Sequence, residues 1–362
     1  MSGDGGPGER VRESASRDRD PTNRDRDPAS RHGGSAKPPT LRGLLASVLA
    51  AVRSRPAAEL ALVTLPLPAL LVGVSLLPGV EAWRFSLATE GVLENRWSLW
   101  TAFASSFVHA DPVHLADNVV NYWLLVAVAY PLSVVAGWRR RLLGSVAVYL
   151  AVVPLVSAWA TVVALGGMTD APTAGFSDVN SALLGYLVVV WFAALAAEWE
   201  RDGDRERNGD RDRGGDQDRG GDQDRGGNRN QTRRGSPADI DPRWSVVAVF
   251  ASLALAHLAP SGVGYFPPLP AVGSLFAVGA VVAAAGLSLA TGRPRVTGLG
   301  LSPERELLYV TGASVAAAGV IGSLVLVPFG SNVFAHLAGY AVGFAVPFVG
   351  VLADAETDGG GG

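Results

Sequence analysis

Long apolar runs decide what this chain can fold into. They recur near 57–78, 113–135, 142–164, 176–197, 244–260, 271–291, 307–328 and 332–352. Each approaches the ~20 residues that a helix needs to cross a hydrocarbon core about 30 Å thick. Lipid offers the backbone no hydrogen-bond partners, so such runs must bond internally, as helices. The expected fold is an all-α polytopic membrane bundle of about eight transmembrane helices. The fifth run is the shortest and carries a polar residue, His257.

Charge is scarce and unevenly placed. Charged residues make up 17% of the chain, against about 25% in a soluble domain. Most lie in residues 1–40 and 198–243. Both blocks are low-complexity: RDRDP occurs twice near the N-terminus, and the hexad GGDQDR recurs from Gly214 to Arg225. Neither can bury an apolar face, so both are expected to be disordered. The organisation is then a charged tail at 1–40, a first membrane part at 41–197, a cytoplasmic Arg/Asp/Gly-rich loop at 198–243, a second membrane part at 244–353 and a short tail at 354–362. The first span reads as a signal anchor. The net charge is −3 and there is no cysteine. No nucleic-acid partner is implied, and disulfides, thiolate metal sites and a Cys nucleophile are excluded. Lys37 is the only lysine among many arginines, a bias that fits a GC-rich, salt-adapted prokaryote.

Arginine placement orients the spans. Arg53 and Arg55, Arg139 to Arg141, the 198–243 block, and Arg293, Arg295 and Arg305 all fall in alternate loops. That side is expected to be cytoplasmic, with both termini on it. The opposite loop, residues 79–113, is rich in Trp and Phe, which favour the headgroup level.

Polar residues inside spans mark function by default. In SFVHADPVHLADNVVNYW, His114, Asn118 and Asn121 share a helix face, with His109 just before. In AGFSDVNSALLGY, Ser177, Ser181 and Gly185 do the same, and in FAHLAGYAVGF so do His336, Gly339 and Gly343. The orientation puts His114, Ser177 and His336 at one depth, just below the outer surface. Gly and Ser stripes permit close helix approach, which would bring Ser177 and His336 together. Taken singly, each has an ordinary explanation: Ser177 as a helix cap, the asparagines as interhelical hydrogen-bond glue, His336 and His257 as structural histidines.

The combination resembles rhomboid intramembrane serine proteases. That family shows a His, then His-x-x-x-Asn five residues on, then Gly-x-Ser at a helix start, then His with glycines three and seven residues later. Here these are His109, His114 to Asn118, Gly175 to Ser177, and His336 with Gly339 and Gly343. The resemblance implies a Ser177–His336 dyad that hydrolyses peptide bonds near the outer membrane surface. Asn118, His114 and the Ser177 N–H would stabilise the oxyanion, with His109, Gly175, Gly339 and Gly343 in support. The implied partners are single-pass transmembrane protein substrates and the lipid bilayer; no cofactor and no metal is implied. The first turn of the Ser177 helix would line a water-filled cavity.

Several positions depart from the family pattern. Rhomboids commonly have one span between the Ser and His helices, and here three are expected, which preserves the parity. The residue after the nucleophile is usually Gly and here is Asp178, whose charge would oppose an oxyanion beside it. An aromatic usually follows one turn after the Ser, where this chain has Ser181. Trp-Arg often precedes the first His by nine residues, and here that pair is Trp100-Thr101. Two other readings remain: an inactive rhomboid-like protein that binds transmembrane helices, and a small-solute transporter.

Overall fold

Proline and short polar side chains set where the helices begin. The computed structural model describes residues 56–214, 241–259, 269–292, 301–326 and 331–359, and side chains throughout these except at 202–214 and 357–359. The helices are α1 Ala57–Thr64, α2 Pro66–Ser75, α3 Arg96–Ala104, α4 Pro112–Val135, α5 Arg139–Leu165, α6 Ser177–Gly214, α7 Ser245–Leu258, α8 Pro270–Thr291, α9 Pro303–Val320 and α10 Val333–Gly359. Pro66, Pro112, Pro270 and Pro303 each stand at the first helical position, where the missing N–H costs nothing. Asp111 caps α4 by accepting from the N–H groups of Val113 and His114 at 2.8 and 2.9 Å. Asn95 caps α3 in the same way.

Seven of the described helical segments are long and apolar enough to span a bilayer, counting α1 and α2 as one. The expected fifth span is the exception: it is a shorter apolar helix, Pro242–Leu258. Its α-helical part has 14 residues and rises only ~21 Å, too short for a hydrocarbon core of about 30 Å. It stops at Ala259, whose backbone is extended (φ −58°, ψ 139°), as the residue before a proline prefers. The 1–40 tail and most of the 198–243 block lie outside the described residues. The first part of that block is continuous with the fourth span, because α6 runs on to Gly214.

The fourth span is the hub. Its apolar window is 83% buried, whereas that of α8 is 6% buried. A nearly unbroken line of buried side chains runs along it from Phe176 to Leu195. Helix α10 lies parallel against it at backbone distance. A Cβ at Gly339 would sit 2.1 Å from Asp178 O, one at Gly343 2.0 Å from Ala182 O, and one at Gly185 2.4 Å from Tyr340 O. Helix α9 runs antiparallel to α6, since Gly312 packs on Trp191 and Gly319 on Leu184. Helices α7 and α8 form an antiparallel hairpin, with Gly273 on Leu258 and Gly279 on Phe250.

Charged side chains tie neighbouring helix ends to one another. Glu59 pairs with Arg139 and accepts from Tyr130 Oη at 2.5 Å. Arg141 pairs with Asp354 at 2.6 Å. Buried Glu198 pairs with both Arg201 and Arg305. These contacts join ends of α1, α5, α6, α9 and α10 through Arg139, Arg141, Arg201 and Arg305.

The glycine packing yields a direct test. Gly343→Val should remove the protein from the folded, detergent-soluble fraction, because overpacking against backbone costs about 3 kcal/mol or more. Gly144, on α5, has nothing within 4 Å of a built Cβ. Gly144→Ala should therefore leave the thermal midpoint unchanged or raised. A Gly343→Val protein as stable as the parent would contradict the close packing.

Candidate active site

The segment entering α6 is fastened before Ser177 is reached. Thr173 and Phe85 exchange two backbone hydrogen bonds, at 3.1 and 2.8 Å. This stitches the aromatic loop to the approach to α6. Gly175 then donates its N–H to Ser105 O at 3.0 Å. Gly175 has φ 128°, and a Cβ there would lie 2.6 Å from His114 Cε1. Glycine is thus needed twice, for the backbone angle and to admit the imidazole. Phe176, fully buried, wedges between Phe107 and Tyr122 with ring centroids 6.0 and 6.5 Å away. Ser177 is left at the mouth of the helix.

His336 arrives at the same level through the helix register. Gly339 meets Asp178 and Gly343 meets Ala182, an offset of 161 residues in each case (339 − 178 and 343 − 182). His336 is thereby level with Gly175, two residues before Ser177. Its Nε2 lies 2.8 Å from Ser177 Oγ, and its Nδ1 lies 3.0 Å from Ser323 O. A carbonyl can only accept, so Nδ1 carries the proton. Nε2 then keeps its lone pair and accepts the Ser177 hydroxyl proton. That is the arrangement of a serine activated by a histidine base whose tautomer is fixed by a third group. Here the third group is a backbone carbonyl.

Ser323 has no sequence signature for this role. It lies in a single π-helical turn, Ile321–Val325, at the end of α9, closed by Leu326 N–H donating to Ile321 O at 2.7 Å. Carbonyls of a last turn lack intrahelical partners, and π-turns recur at functional sites.

The start of α10 is itself braced. Asn332 Oδ1 accepts from Ala335 N–H at 3.2 Å, and its Nδ2 donates to Thr161 Oγ1 at 2.7 Å. Helix α5 adds Ser157 Oγ, which donates to Ala335 O at 3.3 Å, and Tyr149 Oη, which donates to Gly343 O at 2.8 Å.

The remaining nominated residues are partly brought in. The His114 ring lies against Gly175, and His109 packs edge-on against it at 5.2 Å between centroids. Burial, and then the adjacent His114, push the His109 imidazole down to about 4, so it is neutral near pH 7. Asn118 is buried, donates Nδ2 to His114 O at 3.0 Å, and accepts from Asn180 Nδ2 at its own carbonyl (3.0 Å) and Oδ1 (3.3 Å). Asn121 is exposed and does not share the buried face of Asn118. His257 is remote from the dyad: it lies in α7, its Nδ1 is 2.7 Å from Leu253 O, and its ring is beside Phe276. Among the described residues, no group of three His, Asp or Glu side chains is arranged to hold a metal ion.

Two expectations about the first turn of α6 are corrected. Its polar side chains do not line an open cavity. Asp178, Asn180 and Ser181 are 3%, 7% and 2% exposed, and each is engaged inside the protein, Ser181 by donating to Ser177 O at 2.8 Å. Nor does the Asp178 carboxylate stand beside the oxyanion position. It turns away and accepts from Ser106 Oγ at 2.7 Å and from Val179 N–H at 2.7 Å. Sequence spacing counts residues along a helix but not the partner that a side chain finds across 72 residues of chain.

Residues 96–197 match the model of the rhomboid domain. No curated protein and no solved structure matches the chain. The matched segment contains the aromatic helix α3, His114, Asn118 and Ser177, while His336 lies beyond it and is returned to Ser177 by the packing of α10 on α6. The chain is thus a multi-pass integral membrane protein whose residues 96–197 carry a rhomboid domain.

Proposed function

We propose that this protein is an intramembrane serine protease that cleaves transmembrane-helix substrates near the outer membrane surface. The observation that carries the reading is the hydrogen bond from Ser177 Oγ to His336 Nε2 at 2.8 Å, with Nδ1 anchored on Ser323 O. The rhomboid domain at residues 96–197 supports it, since the usual activity of that family is intramembrane proteolysis.

In this reading Ser177 Oγ attacks the scissile carbonyl carbon as its proton passes to His336 Nε2. The imidazolium, held by Ser323 O, returns that proton to the leaving amine. An acyl-enzyme on Ser177 remains, and His336 then activates a water to hydrolyse it. The developing oxyanion would be met by the Ser177 N–H at the helix start, where free N–H groups and the dipole favour negative charge. Asn118 contributes as well: an amide has two N–H bonds, and one is engaged with His114 O. His114, seated on Gly175, is the third donor. The mutual bonds of Asn118 and Asn180 preorganise this side of the site, which is where such groups gain their strength. The substrate is a single-pass membrane protein whose helix unwinds to reach Ser177. Arginine placement supports a cell-membrane protein with both termini in the cytoplasm.

Ser177→Ala and His336→Ala should each abolish cleavage of a model transmembrane substrate, and labelling of the intact protein by a fluorophosphonate, while the protein stays folded in detergent. Retained cleavage in either variant would exclude the dyad. If no labelling is detected even with Ser177 and His336 present, a helix-binding rhomboid without protease activity is the reading left.

Asn118→Ala should lower kcat by roughly 10². Asn180→Ala, which removes only the partner of Asn118, should cause a smaller loss. An equal collapse of thermal stability in both would make the pair structural glue instead.

A further inference from the structure

Three interactions converge on the residue after the nucleophile, and the dyad as described does not use its side chain. Asp178 is 3% exposed. Its Oδ2 accepts from Ser106 Oγ at 2.7 Å and its Oδ1 from Val179 N–H at 2.7 Å. The main-chain carbonyl of Asp178 is the atom on which Gly339 packs. Nearby, Ser157 Oγ donates to Ala335 O at 3.3 Å, one residue before His336.

We propose that Asp178 is a positioning residue for the dyad: its buried carboxylate locks the first turn of α6 so that Ser177 Oγ stays on His336 Nε2. This rests on the protease reading above. The geometry is that of a bracket. Adjacent residues of one turn, Ser105 and Ser106, grip the chain on both sides of the nucleophile, Ser105 O holding Gly175 N–H and Ser106 Oγ holding Asp178. A serine between two fixed points cannot rotate its helix start without breaking one of them.

Stability alone does not account for a carboxylate here. Burying a charge is expensive, and small or apolar replacements are often as stable or more so. A short polar group oriented by two donors restricts geometry instead, and misplacing a reacting atom by about 1 Å can cost 10²-fold in rate.

The test uses the full-length protein in proteoliposomes, with fluorophosphonate labelling of Ser177 and steady-state cleavage of a model transmembrane substrate. Asp178→Ala should slow labelling and kcat by about tenfold or more, with KM little changed. Asp178→Asn keeps Oδ1 as acceptor for Val179 N–H and offers Nδ2–H to Ser106 Oγ, which can accept it, and should recover most of the rate. Ser106→Ala should show a similar loss, and the double variant Asp178→Ala/Ser106→Ala should be no worse than the poorer single one, because the two act through one contact. If Asp178→Ala does not fold, Asp178→Asn and Ser106→Ala still decide. Labelling and cleavage at the unmodified protein's rate in Ser106→Ala overturns the proposal. So does a loss that tracks the folded fraction in every variant. If the unmodified protein itself never labels at Ser177, the protease reading falls and this proposal with it; labelling of the unmodified protein with unchanged variants removes the proposal alone.

Discussion

The backbone contact between α6 and α10 is the constraint on which the site depends. Gly185, Gly339 and Gly343 each face main-chain atoms of the other helix, where a Cβ would lie within 2.5 Å of them. In lipid, apolar side chains gain little by leaving one apolar medium for another, so helices associate through close packing and hydrogen bonds. A ridge with no side chains maximises both. It also fixes the register with no adjustable rotamer between the helices. Serine and histidine 159 residues apart in sequence are therefore brought into hydrogen-bonding contact by glycine rather than by each other.

Around that contact the protein uses buried hydrogen bonds in place of an open polar cavity. Asp178 with Ser106, Asn180 with Asn118, Asn332 with Thr161 and Tyr149 with Gly343 link four different helices and one turn. Each polar group would be costly if left unpaired in a dry interior. Paired, each favours a single arrangement. Where the family commonly places an aromatic ring on the histidine, this chain has Ser181, which bonds back to Ser177 O. Ser323 O supplies a fixed direction for the imidazole instead. It does so from the end of α9, so the His336 imidazole is oriented by an element that carries neither Ser177 nor His336.

The aromatic loop is also more than a surface anchor. Trp83, Trp100, Phe103, Phe107 and Phe176 form a continuous chain of ring contacts, with centroids 5.4, 6.4, 5.5 and 6.0 Å apart. It runs from exposed Trp100 to a residue adjacent to Ser177. The loop thus ties the membrane-facing aromatic surface to the start of α6.

The sequence by itself determined the class of fold and the residues that could do chemistry. Runs near 20 apolar residues leave few alternatives to spanning helices, and glycine at positions 175, 339 and 343 is legible because only glycine permits such backbone angles or such approach. Helix periodicity put Ser177 with Ser181 and Gly185, and His336 with Gly339 and Gly343, on single faces. It could not tell where each polar side chain would find its partner, because hydrogen bonds between helices depend on rotation and register. Asn121 therefore turned outward, Asp178 turned toward Ser106, and Asn180 emerged as the partner of Asn118. The fifth run also proved short, its helix ending before Pro260. The orienting group of His336 was decided wholly by tertiary structure: every residue has a backbone carbonyl, so only the packing of α9 and α10 could select that of Ser323.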